Sequence, residues 1–441
     1  MKKNTVLSLV AAAFSMVAQA QQVTFENMGG KVLTERPEAS TGLNALFVAP
    51  MVGTTSRMVY TPLSTQATVT VSRYSTLGGG YAEAAPGTLT REGSQWTLSG
   101  VEGDMGYIIE EDGVARYYMW LVDYSRHEFN IESLTPGPEQ ECDITTLIPT
   151  GTGDHIYFYT INGRREELSR GLSLTYTTLQ YDEGAQTYAT AQAEEILAYL
   201  PSAIHCTAPL CDTRFTLEGD RFQQQWGRSA VAQSPLYTTH SVAVETQAVV
   251  NERDADNEQS TGADGGDILG GSAPVEIKFT AQVTDAVVFN EWQFSTYPEF
   301  DDIYIRMNQP EVEYTFLEQG TMYVRFMASN AEGSCDVYGP VYTVFVGDSA
   351  LQCPNAFSPG ASEGVNDIWK VSYKSIIEFE CHIFNKWGTE LASFRDPSGG
   401  WDGKYNGKVV PAGVYYYVIQ AKGADGKKYK LSGDINVVNY K

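Results

Sequence analysis

Apolar residues in this chain alternate with polar ones far more often than they recur at helical spacing. Met58-Val59-Tyr60, Thr68-Val69-Thr70-Val71 and Tyr107-Ile108-Ile109 are short β-branched and aromatic runs, the composition that suits a pleated, half-buried surface. Turn clusters separate them: Gly78-Gly79-Gly80, Pro86-Gly87 and Glu102-Gly103-Asp104. Arg116 to Val122 is a continuous run and predicts a buried strand. Ile156-Tyr157-Phe158-Tyr159-Thr160-Ile161 followed by Asn162-Gly163 predicts a hairpin. Ala191 to Leu197 has helix-forming composition but is read as a strand edge, and Phe215–Trp226 and His240–Val250 are read as further strands.

The final segment from Cys353 is dense in turns. Asp402-Gly403, Asn406-Gly407, Pro411-Ala412-Gly413 and Asp425-Gly426 punctuate it, and such pairs tolerate positive φ. Between them stand Val414-Tyr415-Tyr416-Tyr417-Val418-Ile419, Lys428 to Leu431 and Ile435 to Val438. This spacing predicts an antiparallel sandwich of about seven short strands, with Trp369, Trp387 and Trp401 supplying core bulk. The fold class is therefore all-β: tandem immunoglobulin-like β-sandwich domains ending in a small sandwich. The expected boundaries are 21–134, a β region at 135–250 of one or two units divided near Pro201, a linker at 251–270, a further sandwich at 271–348 and the last unit at 349–441. The linker, NERDADNEQSTGADGGDILG, is acidic and Gly-rich, which predicts disorder. Asp254, Asp256 and Glu258 invite a calcium reading, but the loop lacks the sixth-position Gly and the late Glu of an EF-hand.

Lys2 and Lys3 precede an apolar run from Val6 to Val17, and Ala18-Gln19-Ala20 follows. This pattern predicts a secretory signal peptide cut between Ala20 and Gln21. The net charge is −24. Removing Lys2 and Lys3 makes it −26, and the segment from Cys353 carries 11 Lys and Arg against 9 Asp and Glu, leaving residues 21–352 near −28. Such an acidic body argues against nucleic acid and anionic membranes as partners. The six cysteines, Cys142, Cys206, Cys211, Cys335, Cys353 and Cys381, permit disulfides in an exported chain. Cys206 and Cys211 are close enough to close a small loop, and either could instead reach Cys142.

Catalytic motifs are missing from the sequence. It holds no His-Glu-x-x-His, no Gly-x-Ser-x-Gly and no phosphate-binding Gly-rich loop. The five histidines, His127, His155, His205, His240 and His382, stand at no metal-ligand spacing. Expectation is of a non-enzymatic protein without cofactor or metal.

Five motifs of the last segment combine into a family resemblance. They are Pro354-Asn355-Ala356-Phe357-Ser358-Pro359, Gly364-Val365-Asn366-Asp367, Ile383-Phe384-Asn385-Lys386-Trp387-Gly388, Trp401-Asp402-Gly403 and Pro411-Ala412-Gly413-Val414-Tyr415-Tyr416-Tyr417. The segment resembles the type B C-terminal sorting domain of the Bacteroidetes type IX secretion system, also called the gliding-motility-associated C-terminal domain. Where that family usually carries Asn-Gly-Asp-Gly, this chain has Gly360-Ala361-Ser362-Glu363-Gly364, so a cation at that turn is not expected. The resemblance implies recognition by the export apparatus through Pro354, Asn355, Phe357, Pro359, Gly364, Asn366, Asp367, Asn385, Trp387, Gly388, Trp401, Asp402, Gly403, Pro411, Gly413, Tyr415 and Tyr416. Lys427, Lys428, Lys430 and Lys441 add a basic face to the last hairpin. Residues 271–347 resemble a polycystic-kidney-disease-type (PKD) domain through Val275–Phe279, Phe289–Phe294, Tyr314–Phe316 and Gly320–Phe326. The implied function is a PorA-like accessory component of the secretion system, exported to the outer membrane or cell surface. Its implied partners are the translocon and associated outer-membrane proteins. The alternative is an adhesin or glycan-binding cargo of the same route.

Overall fold

The computed structural model describes residues 23–77, 80–138, 141–253, 255–260, 268–360 and 364–438. Strands dominate it, and the continuous run at Arg116–Val122 shows why. Strand Val114–Asp123 pairs antiparallel with Met105–Glu111 and parallel with Ala45–Ala49. Both of its faces are covered, so its second half, Met119–Asp123, is buried throughout and apolar up to Val122. One face packs Met119 and Leu121 with Phe47, Met58, Tyr60 and Ile109 inside the first sandwich. The other packs Trp120, Val122 and Tyr124 against Ile156, Phe158, Leu168 and Phe222 of the second unit. The first junction is therefore a shared apolar core.

The second unit is a single sandwich. One cluster joins Leu134, Leu147, Leu174, Ile204, Phe215, Leu217 and Tyr237 on both sides of Pro201, so no boundary falls there. Its two sheets run Asn130–Pro136, Ile144–Thr152, Ile204–Thr207 and Thr187–Leu197, Leu172–Asp182, Thr216–Gly219, Ala230–Gln233. Ala191–Leu197 lies on an edge strand, as its pattern predicts. Phe215–Trp226 is not all strand. Asp220 accepts a hydrogen bond from Gln223 N at 2.9 Å and starts the short helix Arg221–Gln225, because an N-cap carboxylate satisfies an otherwise free amide. Asp220 also takes Arg170 Nη1 and the Tyr124 hydroxyl, each at 2.9 Å, in a fully buried pair.

The third sandwich begins earlier than its pattern suggests. Val244–Val250, placed by sequence in the second unit, pairs with Val275–Val283 along its whole length. The segment read as a disordered linker is also partly built into the fold. Ile268–Gly271 pairs parallel with Tyr342–Val346. Asn257 Nδ2 donates to the carbonyls of Val371 and Pro397 at 2.7 and 2.8 Å, and Gln259 N donates to Tyr373 O at 2.7 Å. Low hydrophobicity denies this segment a core of its own, but the neighbouring sandwich offers backbone groups that it satisfies. Asp256 pairs with Lys370 and Glu258 with Arg253; Asp254 and residues 261–267 lie outside the described residues.

The disulfide differs from both sequence alternatives. Cys142 pairs with Cys335, joining the second sandwich to the third, and Cys206 and Cys211 are free. Chain proximity misled here. Buried Cys206 turns into the second core while Cys211 lies outside that cluster.

Candidate functional site

The last unit is built on a five-stranded sheet ordered Ala356–Phe357, Lys428–Val437, Gly413–Gly423, Ile376–Phe384, Glu390–Phe394. The predicted sheet is wholly antiparallel, but Ala356–Phe357 joins Asn436–Val437 in parallel. The long hairpin turns at Gly423–Gly426, with Gly426 at φ 77°. Asn406 and Gly407, at φ 52° and 77°, make the tight turn expected of Asn-Gly. The inner face packs Trp369, Trp401, Phe357, Tyr415, Cys381, Ile383, Ile419 and Ile435.

The resemblance residues divide into two sets. Most build the fold. Trp369 Nε1 donates to Pro354 O at 2.8 Å, and Asn436 N and Nδ2 donate to Asn355 O at 2.9 and 3.0 Å. Phe357 and Tyr415 each stand 5.4 Å from the Trp401 ring. Gly403 sits at φ 71°, where any side chain would run into Pro359 and Phe357. Asp367 accepts from Gly360 N at 2.8 Å and Gly364 N at 2.7 Å, and Asn366 O accepts from Ser358 N at 2.9 Å. Asn385 Oδ1 accepts from Trp387 N and Thr389 N at 2.9 and 3.0 Å, with Gly388 at φ 79° closing the turn. Asp402 Oδ2 pairs with Lys404 Nζ at 2.9 Å, and that hydrogen bond holds its carboxyl below the usual range. Pro411 O accepts from the Tyr415 hydroxyl at 2.9 Å, and Gly413 takes φ 152°.

A smaller set faces outward: Trp387, Tyr416, Lys427, Lys428 and Lys430. Trp387 is 78% exposed and supplies no core bulk, against the sequence expectation. Its turn position throws the ring off the sheet, with Lys386 Nζ 4.5 Å from its centroid. Lys427 Nζ stands 4.6 Å from the Tyr429 ring. Ala20, Gln21 and Lys441 lie outside the described residues.

Sequence reasoning missed part of the outward face. Tyr416 lies opposite Phe384 and Val418 opposite His382, with Val414 one step further along. Strict alternation in Val414–Val418 was the available signal, hidden because both faces are apolar there. Further along the same face Glu380 pairs with Arg395 at 3.1 Å and Glu378 with Lys422 at 3.3 Å. Lys428 and Lys430 stand opposite Lys422 and Gln420 and form no ion pair among the described residues. The outer face thus grades from apolar to charged. Buried Cys381 has its thiol pushed up to about 12 by burial, so it is inert as a nucleophile. Among the described residues no three His, Cys, Asp or Glu side chains are grouped to hold a metal, and no helix is long and apolar enough to cross a membrane.

Residues 351–437 match the family model of the CHU_C type IX secretion signal domain, and residues 134–234 match that of the fibronectin type III domain. No curated protein matches the chain. Among solved structures, a tetra-tandem repeat from the extending region of a large adhesion protein is 13% identical, over 89% of this chain and 99% of that one, at a TM-score of 0.21. The fibronectin(III)-like modules of Clostridium thermocellum CbhA are 16% identical over 44% and 95%, at 0.18. Dimeric latent PorU from Porphyromonas gingivalis is 13% identical over 75% and 36%, at 0.16. The sorting signal marks the chain for export to the cell surface or beyond and for engagement with type IX machinery. The chain is a tandem β-sandwich protein that carries a type IX secretion signal domain as its last unit.

Proposed function

We propose that the protein is a non-enzymatic accessory component of the type IX system, PorA-like in organisation, whose sorting unit stays attached while it engages the outer-membrane translocon. The β-sandwich array then serves as the interaction or signalling module. One observation carries this reading: the junction before the sorting unit is part of the fold. Strand Ala350–Gln352 pairs with Ser372–Lys374, and Ser349 and Leu351 are buried. Ser349 Oγ donates to Asp425 at 2.7 Å, Gln319 N donates to Ala424 O at 3.1 Å, and Ser375 N donates to Ser272 Oγ at 2.6 Å. Proteases cut exposed, locally unfolded loops, and a unit destined for removal would need one there.

The test is affinity purification of the native protein from outer membranes, with mass spectrometry of its partners and of its own C-terminus. An intact sorting unit with stoichiometric translocon supports the accessory role. A trimmed C-terminus, or intact protein free of the translocon, sinks it and favours an adhesin or glycan-binding cargo. Deleting Tyr429–Lys441 is expected to leave the protein in the periplasm; normal surface display would count against recognition of this hairpin.

A further inference from the structure

The second sandwich carries a long open sheet edge. Strand Thr187–Leu197 pairs with Leu172–Asp182 over 11 residues in unbroken register, and nothing pairs with its other side among the described residues. Other edges here are shorter: Leu89–Glu92 and Ala230–Gln233 have 4 residues, Glu311–Phe316 has 6, and Asn130–Pro136 and Val244–Val250 have 7. Natural sheets protect exposed edges with Pro, Lys, bulges or brevity, since unpaired N–H and C=O groups recruit other strands. This edge, TYATAQAEEIL, has none of these; its one protective feature is the pair Glu194 and Glu195. Its hairpin is also held in place, because Gln186 Nε2 in the turn donates to Gln247 Oε1 of the third sandwich at 3.2 Å.

The strand is complementary to itself. Ala193 and Leu197 lie on the inner face, opposite buried Tyr176 and Leu172. Tyr188, Thr190, Gln192, Glu194 and Ile196 therefore share the outer face. A second copy laid antiparallel about a two-fold axis at Gln192 keeps inner face on inner face. Tyr188 then stands opposite Ile196 of the second copy, Thr190 opposite Glu194, Ala191 opposite Ala193 and Ala189 opposite Glu195. Each pair occurs twice, as an isologous contact requires. Aromatic–β-branched pairs stabilise sheets, and like charges directly opposite destabilise them; here no Glu meets a Glu. Glu194 already accepts from Ser173 Oγ at 2.7 Å, and Glu195 from Thr207 N at 3.2 Å, so neither carboxylate depends on the open edge for its partner. Moving the axis to Glu194 would set Glu194 on itself, and moving it to Ala193 or Ala191 would leave Tyr188 or Ile196 with no partner in the strand.

We propose that Thr187–Leu197 is a homodimerisation edge, continuing the second sandwich's sheet into that of a second copy. A net charge of −24 opposes association, so the dimer strengthens as salt screens it. The test is sedimentation equilibrium of the full chain across protein and NaCl concentration. Expected is a dimer whose Kd falls with added salt. Gln192→Lys puts two ammonium groups together on the axis and weakens the dimer by up to about fivefold. Thr190→Lys faces Glu194 in both copies of that pair and strengthens the dimer by up to about thirtyfold. These residues are on the surface, so both variants should keep the parent melting temperature. A chain monomeric at roughly millimolar concentration, at or beyond the weak end of useful affinities, overturns the proposal. So does a dimer indifferent to both substitutions. A monomer that binds a foreign extended peptide along this edge also excludes the second copy as its occupant.

Discussion

Trp401 and Trp387 share the sorting unit and the family pattern, but the fold assigns them opposite environments. Trp401 is 2% exposed. Its backbone exchanges hydrogen bonds of 2.9 and 3.0 Å with Trp369, and its Nε1 donates to Lys404 O at 3.0 Å. Trp401→Ala removes the indole between Phe357 and Tyr415 and leaves a cavity, costing about 3–5 kcal/mol. A domain's whole stability is about 5–15 kcal/mol, so the unit loses about a fifth of it or more. Trp387→Ala removes an exposed ring and one cation–π contact, about 0.5–1 kcal/mol. The assay is amide hydrogen exchange on the full chain, read over Gly413–Gly423 and Lys428–Val437. Globally protected amides report unfolding free energy, so Trp401→Ala should speed exchange there by about two to three and a half decades. Trp387→Ala should speed it less than about tenfold. Surface display should fall with Trp401→Ala because the unit unfolds. Any loss with Trp387→Ala would occur in a folded unit and so report recognition. Unchanged protection in Trp401→Ala, or equal loss in both variants, would refute the inside–outside division.

Three further outcomes follow from the junctions. Arg170→Ala leaves Asp220 buried without its cation and should cost about 3–5 kcal/mol in the first transition of a calorimetric scan; a change under about 1 kcal/mol would mean water or rearrangement replaces the guanidinium. Cys142→Ser opens a loop closed across a sequence separation of 193, worth up to about 5 kcal/mol in the chain-entropy account. Small-angle scattering should then show the second and third sandwiches separating, and an unchanged profile would place the stabilisation elsewhere. Asp425 is desolvated, which raises its pKa, but hydrogen bonds from Ser349 and Lys427 N outweigh this and hold it below the usual range. A depressed folded pKa contributes stability above the unfolded value, about 3.9, that is lost as pH falls through the folded value. Protection factors at the junction, referred to the intrinsic exchange rate at each pH, should fall below about pH 4 in the parent and lose that acid dependence in Asp425→Asn.

Strand content was legible because alternation is local, and so were the inner aromatics Trp369 and Trp401. Docking was not. Val244–Val250 reads the same whether it ends one sandwich or starts the next, and only its partner Val275–Val283 decides. Trp120 and Val122 look like one strand's core residues yet seal a junction between units. Trp387 could not be placed outside without knowing that Asn385–Thr389 is the turn. The Cys142–Cys335 pair joins residues that no spacing argument connects.

The charge distribution sharpens what the sorting unit can meet. Residues 21–352 carry about −28, whereas the segment from Cys353 carries +2. An acidic partner surface is repelled along most of the chain and admitted only at the last unit, where Lys428 and Lys430 stand free of ion pairs among the described residues. Complementary potential sets encounter rate and orientation more than final affinity. The apolar stretch of the same face, Val414, Tyr416, Val418 and Phe384, is the part able to supply affinity through burial. Because these two stretches lie on one continuous sheet face, under the proposed role the lysines would orient an acidic partner toward the aromatics. The buried junction at Ser349 and Leu351 would then carry the acidic array along with that face.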